Sequence, residues 1–266
     1  MNVHCSWPCP PTHPELCATE VHLWFADLLR PAEVVRALVG VLSADERSHA
    51  DQLYLGRDRR RYIVGRALLR QILGRYLGLN GQDIAFRYGQ WGKPTLTDYE
   101  KAKQLEFNLS HSAEVVVYAF AANRRVGVDI ESIRPIPDAD DIMDRFFPLQ
   151  DRRSYHSLSA NRREEAFFQY WTRREAFLKA IGYGLTGADT AGDATGSDMR
   201  QSQSLDGQEG KGQHIWSLLN FSPTLGHIGA VAAEGDQCDL KYYNACEVNP
   251  WMPPMLMWNG IQERGR

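Results

Sequence analysis

The sequence predicts a mixed α/β fold of the α+β kind. Short runs of β-branched and aromatic residues, typical of strands, recur along the chain. Between them lie two stretches of about twenty residues in which apolar residues have helical spacing. The 266 residues are 43% hydrophobic and 24% charged, which is typical of a soluble globular protein with a sizeable core.

The first half of the chain is predicted to hold a strand followed by a long helix. Residues 1–18, rich in proline and cysteine, are expected to form an irregular lead-in. Residues 21–26 have the composition of a strand. Apolar residues from 59 to 77 follow a helical stripe, and Arg66 and Arg70 fall off that stripe.

Further strands and a second long helix are predicted after residue 114, without an internal repeat in the sequence. The continuous apolar run 115–121 predicts a strand buried on both faces, and residues 126–131 predict the next strand. A long helix is expected from about 162 to 181, and strands are expected at 215–218 and 228–232.

The segment 187–213 is crowded with small and polar residues, so it cannot bury enough surface to offset its ordering entropy. We therefore expect a mobile loop there.

Two carboxylates, Asp129 and Glu131, stand two apart on a predicted strand and so project from the same face. Oxygen ligands held in this way suit Mg²⁺, which completes its shell with water and substrate phosphates. The alternative is a solvent-facing strand edge, where acidic residues occur without a metal.

Glu175 and Lys179 stand four apart on the second long helix and therefore share a face. They are either a surface ion pair or, because Trp171 and Phe177 flank them, charges at the margin of a buried stripe. Ser110 and His111 precede a buried strand without the signature of a hydrolase triad, which favours a phosphate-binding histidine over a nucleophilic serine.

Four motifs in this order and spacing resemble the Sfp-type 4′-phosphopantetheinyl transferases over about residues 20–186. They are Gly-Lys-Pro (92–94), Phe-Asn-Leu-Ser-His-Ser (107–112), Gly-Val-Asp-Ile-Glu (127–131) and the run from Trp171 to Leu185. The resemblance implies a pseudo-two-fold monomer of two similar α/β subdomains, with the active site in the cleft between them. The subdomains would span 19–123 and 124–235, followed by a C-terminal extension at 236–266.

The resemblance also implies an activity. The enzyme would transfer the 4′-phosphopantetheine arm of coenzyme A to a serine of an apo carrier protein, acyl, polyketide or peptidyl, and release 3′,5′-ADP. Mg²⁺ is the implied cofactor, with Asp129, Glu131 and Glu175 as its ligands. Glu175 and Lys179 are the implied catalytic residues, and the general base is either Glu175 or a water on the metal.

Coenzyme A contacts are implied for a larger set of residues. They are Lys93, Pro94, Ser110, His111, Asp129, Lys179, Arg47, Arg61 and Arg66. Within this set, Arg47 (or His49), with Arg61 and Arg66, would receive the 3′-phosphate. Asp151 stands where some family members carry a glutamate near the reacting centre, and it is one methylene shorter.

The charge pattern points to a protein partner. The net charge of −3 argues against a broad nucleic-acid-binding surface, whereas arginine pairs at 152–153, 162–163 and 173–174 could meet an acidic carrier. We expect a cytoplasmic monomer without a membrane segment or secretory signal. The alternatives are a magnesium-dependent pyrophosphate hydrolase, a non-catalytic carrier-binding relative, and a nucleic-acid-binding module built on residues 57–75.

Overall fold

The computed structural model describes residues 7–89, 94–97, 104–182 and 215–245, and within these ranges it forms nine strands and six α-helices. The strands are β1 (Glu20–Asp27), β2 (Phe86–Tyr88), β3 (Pro94–Leu96), β4 (Leu105–Ser112), β5 (Val115–Ala122), β6 (Val126–Ser132), β7 (Trp216–Phe221), β8 (His227–Glu234) and β9 (Asp239–Asn244). The helices are α1 (Ala32–Val39), α2 (Ala44–Gln52), α3 (Gly56–Leu77), α4 (Ala139–Phe146), α5 (Leu149–His156) and α6 (Ala160–Ile181). None of the described helices is both long enough and apolar enough to cross a membrane. The loop expected at 187–213 lies outside the described residues.

The two halves of the chain repeat one arrangement, which confirms the α+β fold with two similar subdomains. In the first half three antiparallel strands lie in the order β4-β5-β1, and in the second half they lie in the order β7-β8-β6. Each half contributes a helix of 22 residues, α3 or α6. Both helices end at a glycine in the left-handed region, Gly78 with φ of 70° and Gly182 with φ of 80°.

The C-terminal strand β9 does not stay with the second half. It adds to the sheet of the first half, parallel to β1, with Val21 opposite Leu240. The indole of Trp7 packs against rings of both halves, Phe25 on β1 and Phe221 on β7, and also against Tyr242 on β9. Both ends of the described chain therefore hold the two halves together.

The core has a layered arrangement in which β5 is central. Tyr118 and Phe120 face the helix α3, whereas Val117 and Ala119 face the strands of the second sheet. Residues 115–121 are buried throughout, so the strand buried on both faces is confirmed. The two sheets therefore pack directly against each other, and this packing places β4 beside β6.

The position of Arg70 corrects the sequence prediction. Its side chain is only 2% exposed, because Nε donates to Glu46 Oε2 at 2.6 Å and Nη1 donates to the carbonyl of Ile84 at 2.6 Å. The Arg66 guanidinium is also largely covered and lies 3.5 Å from Glu46. A buried arginine is tolerated here because a carboxylate and backbone carbonyls compensate its charge.

Candidate active site

The candidate site is built where α6 crosses β6. At this crossing Gly127 leaves no room for a side chain, since a Cβ atom there would lie 2.0 Å from the carbonyl oxygen of Ala176 and 2.4 Å from the amide nitrogen of Ala180. Ala176 and Ala180 directly follow Glu175 and Lys179 in the sequence. The close crossing therefore sets these two charged residues beside the carboxylates of β6.

Lys179 reaches Asp129 across this crossing. Its Nζ donates to Asp129 Oδ1 at 2.6 Å and to Ser110 Oγ at 3.0 Å, and Ser110 Oγ donates to the same carboxylate oxygen at 2.9 Å. Asp129 is 5% exposed. Three residues that the sequence singled out thus form one hydrogen-bonded group contributed by β4, β6 and α6.

Glu131 lies on the same face of β6, nearer the rim of the site. Its Oε2 accepts hydrogen bonds from Ser112 Oγ at 3.0 Å and from Arg134 Nη1 at 3.1 Å. Neither donor was given a role from the sequence, although Ser112 ends the motif at 107–112. The signal for Ser112 was nonetheless present, because Ser112 follows Ser110 by two residues on a strand and so shares its face.

The negative charges of Glu175 and Asp129 repel each other. Burial raises the pKa of each, and the negative charge of Asp129 raises the pKa of Glu175 further, whereas Lys179 opposes both shifts. Among the described residues, Asp129 Oδ2 and Glu175 Oε1 are buried without a hydrogen-bond partner. Unsatisfied buried oxygens are costly and also occur on other described residues such as Glu46 and Glu114, but here two of them lie on neighbouring carboxylates, where a cation could bind.

The carboxylates are close, but they do not form a ready-made metal cage. No group of three or more histidine, cysteine, aspartate or glutamate side chains in the described part of the chain is arranged to hold a metal ion. Asp129 instead pairs with Lys179, and Glu131 pairs with Arg134. The oxygen-only donor set, including two unpartnered buried oxygens, nevertheless has the chemistry that Mg²⁺ prefers.

His111 is exposed on β4 between Ser110 and Ser112, and its side chain projects from the opposite face of the strand. Its side chain reaches solvent, but neighbouring groups still desolvate the ring. This desolvation lowers the pKa of the imidazole, and the positive charges of Lys179 and Arg61 lower it further. The ring is therefore available in its neutral form near neutral pH.

The residues expected to contact the nucleotide end of coenzyme A form a second group, on α2, α3 and the β2-β3 hairpin. The Arg66 guanidinium lies 5.6 to 5.8 Å from the ring centroids of Tyr62, Phe86 and Tyr88. The ring of His49 lies 4.7 Å from that of Tyr62. Arg66 thus has an aromatic surround, in which a planar base or ring could stack.

The other predicted contacts of this group are already engaged or lie elsewhere. Arg47 Nη1 donates to the carbonyl of Leu42 at 2.8 Å, and Arg61 Nη2 donates to Glu114 Oε1 at 2.9 Å. Pro94 pairs with Tyr88 in the β2-β3 hairpin. Lys93 lies outside the described residues.

Asp151 is buried in the first turn of α5, at 1% exposure. Burial raises the pKa of Tyr170, and the negative charge of Asp151 raises it further. Asp151 thus lies close to Tyr170 inside the second half, and its side chain does not reach solvent.

The arginine pairs differ in accessibility. Arg153 and Arg162 are exposed. Arg174 is 7% exposed, with its guanidinium 5.8 Å from the ring centroids of both Phe146 and Phe147. Arg152 Nη1 donates to the carbonyl of Asp144 at 3.1 Å. Only some of the six arginines can therefore meet a partner.

Comparisons with known proteins assign this arrangement to a family. The model described as the 4′-phosphopantetheinyl transferase superfamily matches residues 125–221, and the model for the 4′-phosphopantetheinyl transferase N-terminal region matches residues 31–123. The 4′-phosphopantetheinyl transferase HetI of Nostoc sp. is 34% identical over 240 residues, which cover 90% of this chain and 98% of that protein.

More distant relatives match a smaller share. The 4′-phosphopantetheinyl transferase Sfp of Bacillus subtilis is 32% identical over 148 residues, or 54% of this chain and 62% of Sfp. The L-aminoadipate-semialdehyde dehydrogenase-phosphopantetheinyl transferase of Rattus norvegicus is 28% identical over 166 residues, or 58% of this chain and 52% of that protein. All three relatives are named as transferases, in agreement with transfer rather than pyrophosphate hydrolysis.

Proposed function

The chain belongs to the 4′-phosphopantetheinyl transferase superfamily and is a 4′-phosphopantetheinyl transferase, and on that premise we propose which residues perform the transfer. Asp129, Glu131 and Glu175 hold Mg²⁺, and Lys179 with Ser110 and His111 binds the pyrophosphate of coenzyme A. The observation that carries this proposal is the pair of buried, unpartnered carboxylate oxygens on Asp129 and Glu175, close to a lysine.

The donor set fits Mg²⁺, since all of its ligand atoms are oxygens. When bound, Mg²⁺ neutralises the negative charge that grows on the pyrophosphate as 3′,5′-ADP departs. A cation would also relieve the repulsion between Asp129 and Glu175 that raises the pKa of Glu175.

Lys179 stabilises the same charge directly. Its ammonium group is held at Asp129 Oδ1 and Ser110 Oγ, so it is oriented before the substrate arrives. A charged donor fixed in this way stabilises developing negative charge without reorganisation. The neutral ring of His111 can donate a further hydrogen bond to a phosphate oxygen.

Glu175 serves as the base in this proposal. The carrier serine oxygen forms a bond to the β-phosphorus of coenzyme A, and the bond from that phosphorus to the 3′,5′-ADP oxygen breaks. The proton of the serine hydroxyl passes to the Glu175 carboxylate. Glu175 is 8% exposed, so its carboxylate is shielded from bulk water where it would take up this proton.

Arg66 supports the nucleotide end of coenzyme A, where its guanidinium lies among three aromatic rings. Arg47, Arg61, Lys93 and Pro94 belong to the same proposed set. Dephospho-coenzyme A, which lacks the 3′-phosphate, tests whether these arginines contact that phosphate. Arg66→Ala should raise the KM for coenzyme A more than the KM for dephospho-coenzyme A, and equal increases would contradict a 3′-phosphate contact.

The carrier approaches through the exposed arginines. Reversal of Arg152 and Arg153 to glutamate should raise the KM for the carrier and leave the KM for coenzyme A unchanged. Because Arg153 is the exposed member of this pair, Arg153→Glu alone should reproduce most of the effect. Equal changes in both KM values would contradict the docking surface.

The proposal also includes a monomer in the cytoplasm. Ser110, Asp129 and Lys179 come from both halves of one chain, so a second subunit is not needed to complete the site. Light scattering of the purified protein should give the mass of one chain, and the mass of a dimer would contradict this part of the proposal.

The metal set is tested by intact-protein mass spectrometry of an apo acyl carrier protein incubated with this enzyme, coenzyme A and Mg²⁺. The carrier should gain one phosphopantetheine arm. The gain should disappear with EDTA and with Asp129→Ala, and excess Mg²⁺ should restore the EDTA-treated sample. Transfer that persists in EDTA would refute the metal assignment, although the transferase activity itself would stand.

A further inference from the structure

The side chains of β4 close the open edge of β6. Three alternate residues of β4 accept hydrogen bonds from three alternate backbone amides of β6. These bonds run from Val128 N to Asn108 Oδ1 (2.9 Å), from Ile130 N to Ser110 Oγ (3.3 Å) and from Ser132 N to Ser112 Oγ (3.0 Å). We call this row of three bonds the β4-β6 ladder.

The ladder replaces a missing backbone partner. β6 is an edge strand of its sheet, paired with β8 on one side only. Buried amides at such an edge are costly when they lack an acceptor. Because Asn108, Ser110 and Ser112 supply the acceptors, the first half of the chain fixes the register of the strand that carries Asp129 and Glu131.

The two serines of the ladder each make a second bond. Ser110 Oγ accepts from an amide of β6 and donates to Asp129 Oδ1 at 2.9 Å, and Ser112 Oγ does the same with Glu131 Oε2 at 3.0 Å. A hydroxyl has one proton to donate, so an acceptor bond from the backbone leaves that proton for the carboxylate. Each serine on β4 thus links a carboxylate of β6 to a backbone amide of β6.

Glu131 depends on this tie more than Asp129 does. Asp129 is 5% exposed and is also held by Lys179. The Glu131 side chain is 24% exposed, and its other donor, Arg134, is 52% exposed. An exposed ion pair of this kind orients a carboxylate weakly.

We propose that Ser112 is a positioning residue that holds the Glu131 carboxylate in the orientation needed for Mg²⁺, through the ladder between the two halves of the enzyme. This inference rests on the proposed role of Glu131 as a metal ligand. Outer residues that orient a metal ligand typically change metal affinity by about 10- to 100-fold when they are removed.

The test measures the binding of Mn²⁺, a paramagnetic substitute for Mg²⁺, by electron paramagnetic resonance in the presence of coenzyme A. Ser112→Ala should raise the Kd for Mn²⁺ by about 10-fold. Ser112→Thr keeps the hydroxyl and should stay within about 3-fold of the wild type. The matched control is Ser217→Ala on β7, which removes a half-buried serine hydroxyl that donates to the carbonyl of Gly235, just after β8, and it should leave the Kd unchanged.

Amide hydrogen exchange supplies a readout that needs no metal. In Ser112→Ala the amide of Ser132 should exchange faster, whereas the amide of Val128, which Asn108 holds, should keep its protection. Asn108→Ala should give the reverse pattern. A uniform rise over the whole of β6 would mean general loosening and would overturn a specific ladder.

The outcomes separate this inference from the proposed function. If the wild type binds Mn²⁺ and Ser112→Ala binds it equally well, the positioning role is overturned while the metal ligands stand. If the wild type binds no Mn²⁺, the metal assignment fails and the positioning role fails with it. Weak binding in Ser112→Ala, rescue by threonine and faster exchange at Ser132 would together support the inference.

Discussion

Each half of the molecule buries charged groups against its long helix, but the two sets of charges are satisfied to different extents. In the first half Arg70 of α3 bonds to the Glu46 carboxylate, to two backbone carbonyls and to the face of Phe86. In the second half Asp129 and Glu175 lie beside Lys179, and each carboxylate keeps one buried oxygen without a hydrogen-bond partner in the described residues. Glu46 also keeps one such oxygen, Oε1, but the Arg66 guanidinium lies 3.5 Å from it.

This difference separates a structural cluster from a reactive one. The partners of Arg70 compensate most of the cost of burying its charge, so the Arg70–Glu46 pair can serve stability. The carboxylates near Lys179 have raised pKa values, because burial and mutual repulsion disfavour their charged forms. The second half accepts this cost at the position where a cation and phosphates are expected to bind.

The largest effect should come from Glu175→Gln. If Glu175 is the base, the substitution should lower kcat by about 10²- to 10⁴-fold. It should not lower Tm, because a neutral amide removes a charge that burial disfavours. Turnover by mass spectrometry and thermal unfolding measure the two effects.

Glu165→Gln provides the control for this prediction, since Glu165 is exposed on the same helix. It should leave both kcat and Tm unchanged. A Glu175→Gln variant that keeps kcat within about 3-fold of the wild type would remove Glu175 from proton transfer.

The second prediction tests the structural cluster. Arg70→Met leaves Glu46 buried without its main partner, so the free energy of unfolding should fall by about 3–5 kcal/mol in urea titrations. Arg70→Met combined with Glu46→Leu should cost less than the single change, because no lone charge remains.

An exposed ion pair between the same two helices is the matched control. Arg59 of α3 and Asp51 of α2 are 49% and 66% exposed, so Arg59→Ala should change the free energy of unfolding by about 1 kcal/mol or less. If Arg70→Met were no more destabilising than Arg59→Ala, the buried Arg70–Glu46 pair would not be a structural cluster.

The third prediction compares one glycine from each half. Gly127→Ala should destabilise the protein by about 1–3 kcal/mol or more, because the new Cβ would meet the backbone of α6 at 2.0 Å. Gly65→Ala in α3 would meet its nearest atoms at 3.7 and 3.9 Å, and it should be neutral or stabilising by up to about 1 kcal/mol. Urea titration of both variants, with transfer activity measured beside it, tests whether the tight crossing is specific to the half that carries the site.

The sequence predicted the local relations in the site well. The spacing of two residues between Asp129 and Glu131 and of four between Glu175 and Lys179 follows from strand and helix geometry alone. The pairing of Lys179 with Asp129 required the crossing of α6 over β6, which periodicity does not encode. Before the structure, only the family resemblance implied that these residues belong to one site.

Contacts between segments that are distant in the sequence could not be predicted from it. Arg70 departed from the apolar stripe, and partners distant in sequence, Glu46 and two backbone carbonyls, make its burial tolerable. The bond from Ser112 to Glu131 depends on how the two sheets pack, and the pairing of β9 with β1 joins segments that lie far apart in the sequence. Patterns within one element cannot show such relations, because each element would look the same with other partners.

The smallest expected effect concerns a polar cluster of the first half that changes with pH. His22 is 1% exposed, and its ring nitrogens lie 2.7 Å from Tyr76 Oη and 3.2 Å from Glu20 Oε2. Desolvation lowers the pKa of His22 below its ordinary value; the nearby charge of Lys241 lowers it further, and Glu20 opposes the shift. Between the lowered pKa of the folded state and the ordinary pKa of about 6.5, His22 therefore binds a proton more readily in the unfolded chain than in the folded protein. The free energy of unfolding should therefore fall as the pH decreases from about 6.5 toward the pKa of the folded state.

His22→Gln should flatten this part of the pH dependence, measured as urea unfolding between about pH 7.5 and about pH 5.5. The comparison is between slopes, so a constant loss of stability from the substitution does not disturb it. An unchanged slope would mean that His22 takes up its proton equally well in both states. A flattened slope would show that His22 binds its proton less readily in the folded protein than in the unfolded chain, so that acid weakens the half that otherwise serves stability.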